Sequence, residues 1–149
     1  KQGGDGFSTA VSAFYDRWKD NPLVIDKWFA LQARAPLDDA LERALALKAH
    51  PDFAFSNPNR VRSLAFSFAA GNLRAFHKAD GSGYRFLADI VKTVDPLNPA
   101  LSARLLTSFE SWRRFDGVRR TQAERVLRDL LAGGLSPNAA DIVNRALQS

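Results

Sequence analysis

The sequence contains no cysteine and no methionine, and only two of its 149 residues are histidine. Without cysteine, disulfides, thiolate nucleophiles and cysteine-held metals are excluded. The absence is also compatible with a reducing cytoplasm, the expected location. The missing methionine and the opening Lys1-Gln2-Gly3-Gly4 lead us to expect a piece of a longer product. No stretch approaches the roughly 20 apolar residues that span a bilayer, and no charged segment followed by an apolar run and a cleavage site stands at the start. A membrane is therefore not an expected partner. His50 and His77 lie 27 residues apart, outside any H-E-x-x-H or related ligand spacing. No metal-binding, cofactor-binding or catalytic residue is assigned to this chain.

What the chain does have is helical periodicity. Phe7, Val11, Phe14, Tyr15 and Trp18 form one apolar stripe, and Val61, Leu64, Ala65 and Phe68 form another at i, i+3, i+4, i+7. Strand-like alternation is nearly absent, so the expected fold class is all-α. With 46% hydrophobic and 25% charged residues, one globular domain with a substantial core is expected. We place a disordered or linker start over residues 1–6 and a single helical-repeat domain over 7–149.

The helix starts carry most information. Asn21-Pro22, Asn57-Pro58, Asn98-Pro99 and Ser136-Pro137 each precede an apolar-periodic segment. Asn or Ser caps the free N–H groups, and Pro at the first helical position lacks the donor that would go unused there. The four starts are separated by 36, 41 and 38 residues. Each marks the second helix of a pair, whose first helix is expected over 7–18, 37–49, 84–95 or 118–132. A period near 40 built from helix pairs is the spacing of HEAT and armadillo repeats. The expected architecture is a superhelix of about four antiparallel helix pairs, since one pair alone buries too little of its stripe. An irregular helical bundle is the alternative. Pro51–Ser56 is expected to be an extended connector, and Asn72–Gly83 a short helical turn followed by a reversal.

The candidate chemistry is sparse. Asp80-Gly-Ser-Gly83 is glycine-rich and opens a helix, but it lacks a Walker lysine and follows no strand, so it reads as a chain reversal with Asp80 or Ser82 near the cap. Asp38, Asp39, Glu42 and Asp141 sit near helix starts, where carboxylates offset the dipole, and Glu124 stands four residues from Arg120 and Arg128. His50 is expected at a helix end and His77 in a surface or packing role. The net charge of +5 invites a nucleic-acid reading, with Trp112-Arg-Arg-Phe115, Arg119, Arg120, Arg125 and Arg128 as its best support. Trp112, however, continues the stripe of Leu101, Leu105 and Phe109, so it reads as core and the arginines as rim. Arg60, Arg62 and Arg104 lie in the first two turns of Asn-Pro helices. A guanidinium fork at a repeat edge suits peptide carbonyls or carboxylates, and pairing with helix-edge acids is the open alternative.

Four strings, Asp26-Lys-Trp-Phe-Ala-Leu-Gln-Ala33, Asn57-Pro-Asn-Arg-Val-Arg-Ser-Leu64, Ala75-Phe-His-Lys-Ala-Asp-Gly-Ser-Gly-Tyr-Arg-Phe-Leu87 and Trp112-Arg-Arg-Phe-Asp116, occur in order along the chain. Together they resemble the C-terminal domain of bacterial aminopeptidase N, over nearly all of the chain from about residue 7. The resemblance implies a parent zinc aminopeptidase of the gluzincin class that removes N-terminal residues from short peptides. Its zinc and catalytic motifs, H-E-x-x-H and G-x-M-E-N, are not in this sequence, so no zinc is expected in the chain itself. It further implies a non-catalytic domain that closes over the catalytic domain and lines the peptide chamber. Arg62 and Arg104 match chamber-facing positions by resemblance, and Arg60, about 160° from Arg62 on an ideal helix, does so less well. The implied partners are the catalytic and other domains of the same chain and short peptides, without nucleic acid. An independent scaffold for a protein or peptide is the competing reading, and a nucleic-acid repeat module a further one.

Overall fold

The computed structural model describes residues 4–148, with side chains from residue 9 onward. Of the linker expected over 1–6, residues 1–3 lie outside the described residues, and the first helix begins at Gly4. Nine α-helices follow one another among the described residues: α1 (Gly4–Trp18), α2 (Pro22–Arg34), α3 (Ala40–Lys48), α4 (Pro58–Gly71), α5 (Leu73–Phe76), α6 (Ser82–Val94), α7 (Pro99–Leu106), α8 (Gly117–Ala132) and α9 (Pro137–Gln148). No strand occurs among the described residues. The pairs α1–α2, α3–α4, α6–α7 and α8–α9 are the four repeats, and α5 is an extra turn between the second and third.

The Asn-Pro starts work as their chemistry requires. The side-chain oxygens of Asn21, Asn57 and Asn98 accept from the backbone N–H of Val24, Arg60 and Leu101 at 3.2, 3.2 and 3.0 Å. The Ser136 hydroxyl accepts from Ala139 N at 3.3 Å. Each of α2, α4, α7 and α9 then opens on proline, and these second helices form a layer of their own. The start of α4 touches the start of α2 through Arg60 and Pro22, while Asn72, past the end of α4, reaches Ala33 and Ala35 at the end of α2. The two helices therefore run parallel. Trp112 and Arg113, beyond the end of α7, bond the Ala146 and Leu147 carbonyls late in α9, which makes that pair parallel too. Phe76 and Phe109, beyond the ends of α4 and α7, pack with ring centres 5.6 Å apart.

The polar ties between repeats share one property. Tyr15 to Asp52, Arg60 to Asp26, Asn72 to Ala33, Ser136 to Asp95, Arg119 to His77 and Trp112 to Ala146 join residues 34 to 42 apart, about one repeat period. These bonds join the first repeat to the second and the third to the fourth, and Arg119 ties α8 back to the inserted turn at His77, as expected of a stack in which most contacts are local.

A continuous core runs through the stack. Ile25, Phe29, Val61, Leu64, Ala65, Phe68, Leu87, Ile90, Leu105 and Leu127 are all at or below 1% exposure. The stripe Val61, Leu64, Ala65, Phe68 is wholly inside. In α1 the stripe divides: Val11 and Tyr15 pack against the core, whereas Phe14 and Trp18 remain 37% exposed. Trp112 is buried as expected, but not by continuing the helix of Leu101 and Leu105. That helix stops at Leu106, and two 3-10 turns, Thr107–Phe109 and Trp112–Arg114, carry the chain to α8.

Gly83 is needed for a different reason from Gly81. Gly81 holds a left-handed φ of +79°, a conformation with little cost only for glycine. At Gly83 a Cβ would lie 2.4 Å from the carbonyl oxygens of Ala75 and Phe76. The first turn of α6 is pressed onto the backbone of α5, which leaves no room for a side chain.

Candidate functional site

Arg62 and Arg104 lie on α4 and α7, neighbouring second-layer helices in contact with each other. Both are exposed. Arg62 Nη1 donates to Asn59 Oδ1 at 2.9 Å, a bond within its own helix that steadies the guanidinium near the start of α4. The Arg104 guanidinium has no hydrogen-bond or ion-pair partner among the described residues, and its carbonyl accepts from the Thr107 hydroxyl at 2.6 Å. Among the described residues neither arginine pairs with a helix-edge acid, the arrangement weighed against a ligand-facing role.

Arg60 departs from the expectation that grouped it with these two. Two residues along a helix rotate a side chain by 200°, so with Arg62 outside Arg60 points in, and it is only 6% exposed. Nε donates to Asp26 Oδ1 at 2.5 Å, Nη1 to Asp52 O at 2.6 Å and Nη2 to Pro22 O at 3.4 Å, and the guanidinium carbon stands 5.3 Å from the centre of the Phe29 ring. Its donors are satisfied inside the protein, which makes Arg60 an anchor between repeats and not part of an open surface.

The two histidines serve packing. His50 ends the α3 segment as expected; its Nδ1 accepts from Asp52 N at 3.0 Å and its ring meets Tyr15, Trp28 and Phe29 edge-on. His77 stacks on Phe115 at 4.0 Å, with Nδ1 2.8 Å from the Tyr84 hydroxyl. Burial, helped by the Arg119 cation, holds His77 below the ordinary histidine value, and burial pushes the Tyr84 hydroxyl up to about 12. Tyrosine thus keeps its proton, and the imidazole beside it is biased toward its neutral form. Among the described residues, no three His, Asp or Glu side chains are grouped to hold a metal ion.

The glycine-rich reversal also matches its local chemistry. Asp80 Oδ1 accepts from both the Ser82 N–H (2.9 Å) and the Ser82 hydroxyl (2.6 Å), and those bonds hold the Asp80 carboxyl below its usual range. Asp116 caps α8 by accepting from Arg119 N at 2.9 Å, which lowers its pKa likewise. Arg128 pairs with Glu124 and Arg145 with Asp141, four residues away on their own helices.

Two polar features escape a reading by local pattern. Asp95, 5% exposed, accepts from the Ser136 N–H and hydroxyl at 2.6 and 2.7 Å, tying the end of α6 to the cap of α9. Asn72, 6% exposed, donates its amide to the carbonyls of Ala33 and Ala35, at 3.1 Å each. Scanning for polar pairs one repeat period apart is the signal that finds both.

A family model described as a domain of unknown function with ARM repeats, DUF3458_C, matches residues 1–148. Aminopeptidase N of Caulobacter vibrioides is 43% identical over 149 residues, 97% of this chain and 17% of that protein. Aminopeptidase N of Haemophilus influenzae is 46% identical over 93% of the chain, and that of Escherichia coli 42% identical over 80%. The chain therefore spans about a sixth of the length of these relatives. A crystal structure of Legionella pneumophila aminopeptidase A in complex with aspartic acid superposes with a TM-score of 0.91 at 32% identity, over 97% of this chain and 17% of that one.

Proposed function

The chain belongs to the DUF3458_C family of ARM-repeat domains, and on that footing we propose that residues 7–149 form the non-catalytic C-terminal domain of a cytoplasmic, zinc-dependent aminopeptidase N. In this reading the domain closes over the catalytic part of the same chain and lines the chamber that admits short peptides. One observation carries the proposal: the likeness to aminopeptidase N extends over nearly all of this chain yet only a sixth of its relatives. A segment of this kind is one part of a larger chain, and by resemblance the zinc and the reacting groups lie in other parts.

Arg62 and Arg104 are the residues proposed to face the peptide. An exposed guanidinium with unused donors forms strong, directional bonds to carbonyl or carboxylate oxygens. Arg60 is left out of that surface because its donors are taken up inside.

The test uses the full-length enzyme. Arg62→Ala or Arg104→Ala is expected to change kcat/KM about tenfold for longer peptides relative to dipeptides, as for the loss of one charge-assisted hydrogen bond of about 1.5 kcal/mol. Zinc content, measured by elemental analysis, should not change. Unaltered kinetics across peptides of several lengths would remove both arginines from the chamber.

A further inference from the structure

At the far ends of α2 and α4 from their proline starts, a cleft of about 390 Å³ opens between the α2–α3 loop, α5 and the first turn of α8. Arg74, Lys78 and Arg119 line it against a single acid, Asp38. We propose that this cleft is an anion site for a small ligand bearing a carboxylate or phosphate group. Nothing in this inference rests on the aminopeptidase reading.

Its walls have the parts an anion site needs. Arg74 and Lys78 are exposed, and neither side chain makes a hydrogen bond or ion pair among the described residues, although the Lys78 charge also acts on Asp80. Arg119 is fixed in place: Nε donates to the His77 carbonyl at 2.5 Å and Nη1 to Asp116 Oδ2 at 2.8 Å. Its remaining donor nitrogen, Nη2, is positioned without further ordering, which lowers the entropic cost of binding. Asn72, buried beside the cleft, gives its amide hydrogens to Ala33 and Ala35. Its carbonyl oxygen is left as a neutral acceptor, matching an N–H or O–H next to the anionic group. Leu37, Leu41 and Ala75 supply apolar wall. A concave site with walls of low dielectric concentrates the field of three cations more than a flat surface does.

The solvated-surface alternative accounts for Arg74 and Lys78 singly, since cations near helix ends offset the dipole. It does not account for an immobilised third cation and a rigid buried amide converging on the same hollow. The cleft is also separate from the Arg62 surface, because Arg62 and Asn72 are ten residues apart along one helix, about 15 Å at 1.5 Å per residue.

The decisive experiment is calorimetric titration of the full-length protein with inorganic phosphate and, separately, with succinate. Ionic strength is held constant with chloride, and wild type is compared with Arg74→Ala/Lys78→Ala. Both substituted side chains are exposed and make no hydrogen bond or ion pair among the described residues, and circular dichroism verifies that the fold is kept. A saturable site with Kd of about 1 mM or tighter is expected in the wild type. It should weaken at least tenfold in the double variant and persist in Arg128→Ala, an exposed arginine paired with Glu124 away from the cleft. Retention of phosphate binding alone assigns a phosphate-bearing ligand, and of succinate alone a carboxylate-bearing one. Absence of any saturable site, or a site that survives in the double variant unchanged, overturns the proposal.

Discussion

The seam between α2 and α4 and the seam between α4 and α7 join the same kind of helix by different means. The first is pinned at both ends by polar bonds: Arg60 to Asp26 and Pro22 at the start, and Asn72 to Ala33 and Ala35 at the finish. The second is filled by rings. Phe76 meets Phe68, Tyr84 and Phe109 with centres 5.2 to 6.4 Å apart, and Phe86 meets Phe68 at 4.8 Å. α5 is wedged beside them. Aromatic pairs tolerate several offset geometries and contribute mainly buried area, whereas a buried guanidinium accepts few placements and sets register. The regular period of the first seam needs register, and the inserted turn at the second needs bulk to fill the extra space.

Three variants break or sharpen that contrast. Phe76→Ala should have the largest effect, because a wholly buried ring at the centre of the cluster leaves a cavity. A loss of about 3–5 kcal/mol is expected in urea unfolding, and a loss under about 1 kcal/mol would show that the rings repack and that area is not what holds this seam. Arg60→Ala should cost about 2–3 kcal/mol, since it strands the Asp26 carboxylate and the Asp52 carbonyl. If it costs no more than an exposed arginine such as Arg62, the bonds at the start of α2 and α4 do not pin the seam.

The smallest effect is a pH slope. Folded His77 has a depressed pKa, so as pH falls through about 6.5 the unfolded chain takes up a proton that the folded one resists. Stability should therefore decline on the acid side of that point and level off once the folded imidazole also titrates. In His77→Gln that part of the profile should flatten, as read from urea midpoints at several pH values. Equal slopes in the two proteins would place the acid sensitivity elsewhere, away from the aromatic seam.

The first seam was the more legible in sequence. Its proline starts, the Val61 to Phe68 stripe and the near-40 spacing all follow from local rules, because capping and periodicity act within a turn or two. The inward turn of Arg60 follows from its angle to Arg62, but which partner awaits it does not, since Asp26 lies 34 residues away. Asp95 with Ser136 and Asn72 with Ala33 are hidden for the same reason. At the second seam, Leu101 to Trp112 reads as one apolar stripe, yet tertiary packing ends the helix at Leu106 and buries Trp112 through a 3-10 turn. The cleft is assembled from three segments, the α2–α3 loop, Asn72 to Lys78 and Arg119, and no local pattern marks it.

The paired ends of α2 and α4 also have a mechanical consequence. For one helix to slide along the other by even a single turn of about 5.4 Å, the Arg60 and Asn72 bonds must all break together, because both ends are tied to the same partner. Such a seam resists shear and transmits load as a plate. Rings, by contrast, accept several offset arrangements, and among the described residues no side-chain hydrogen bond joins α4 to α7. The aromatic layer at the middle of the superhelix is therefore where a bend would meet the fewest directional bonds, with the first two repeats moving together.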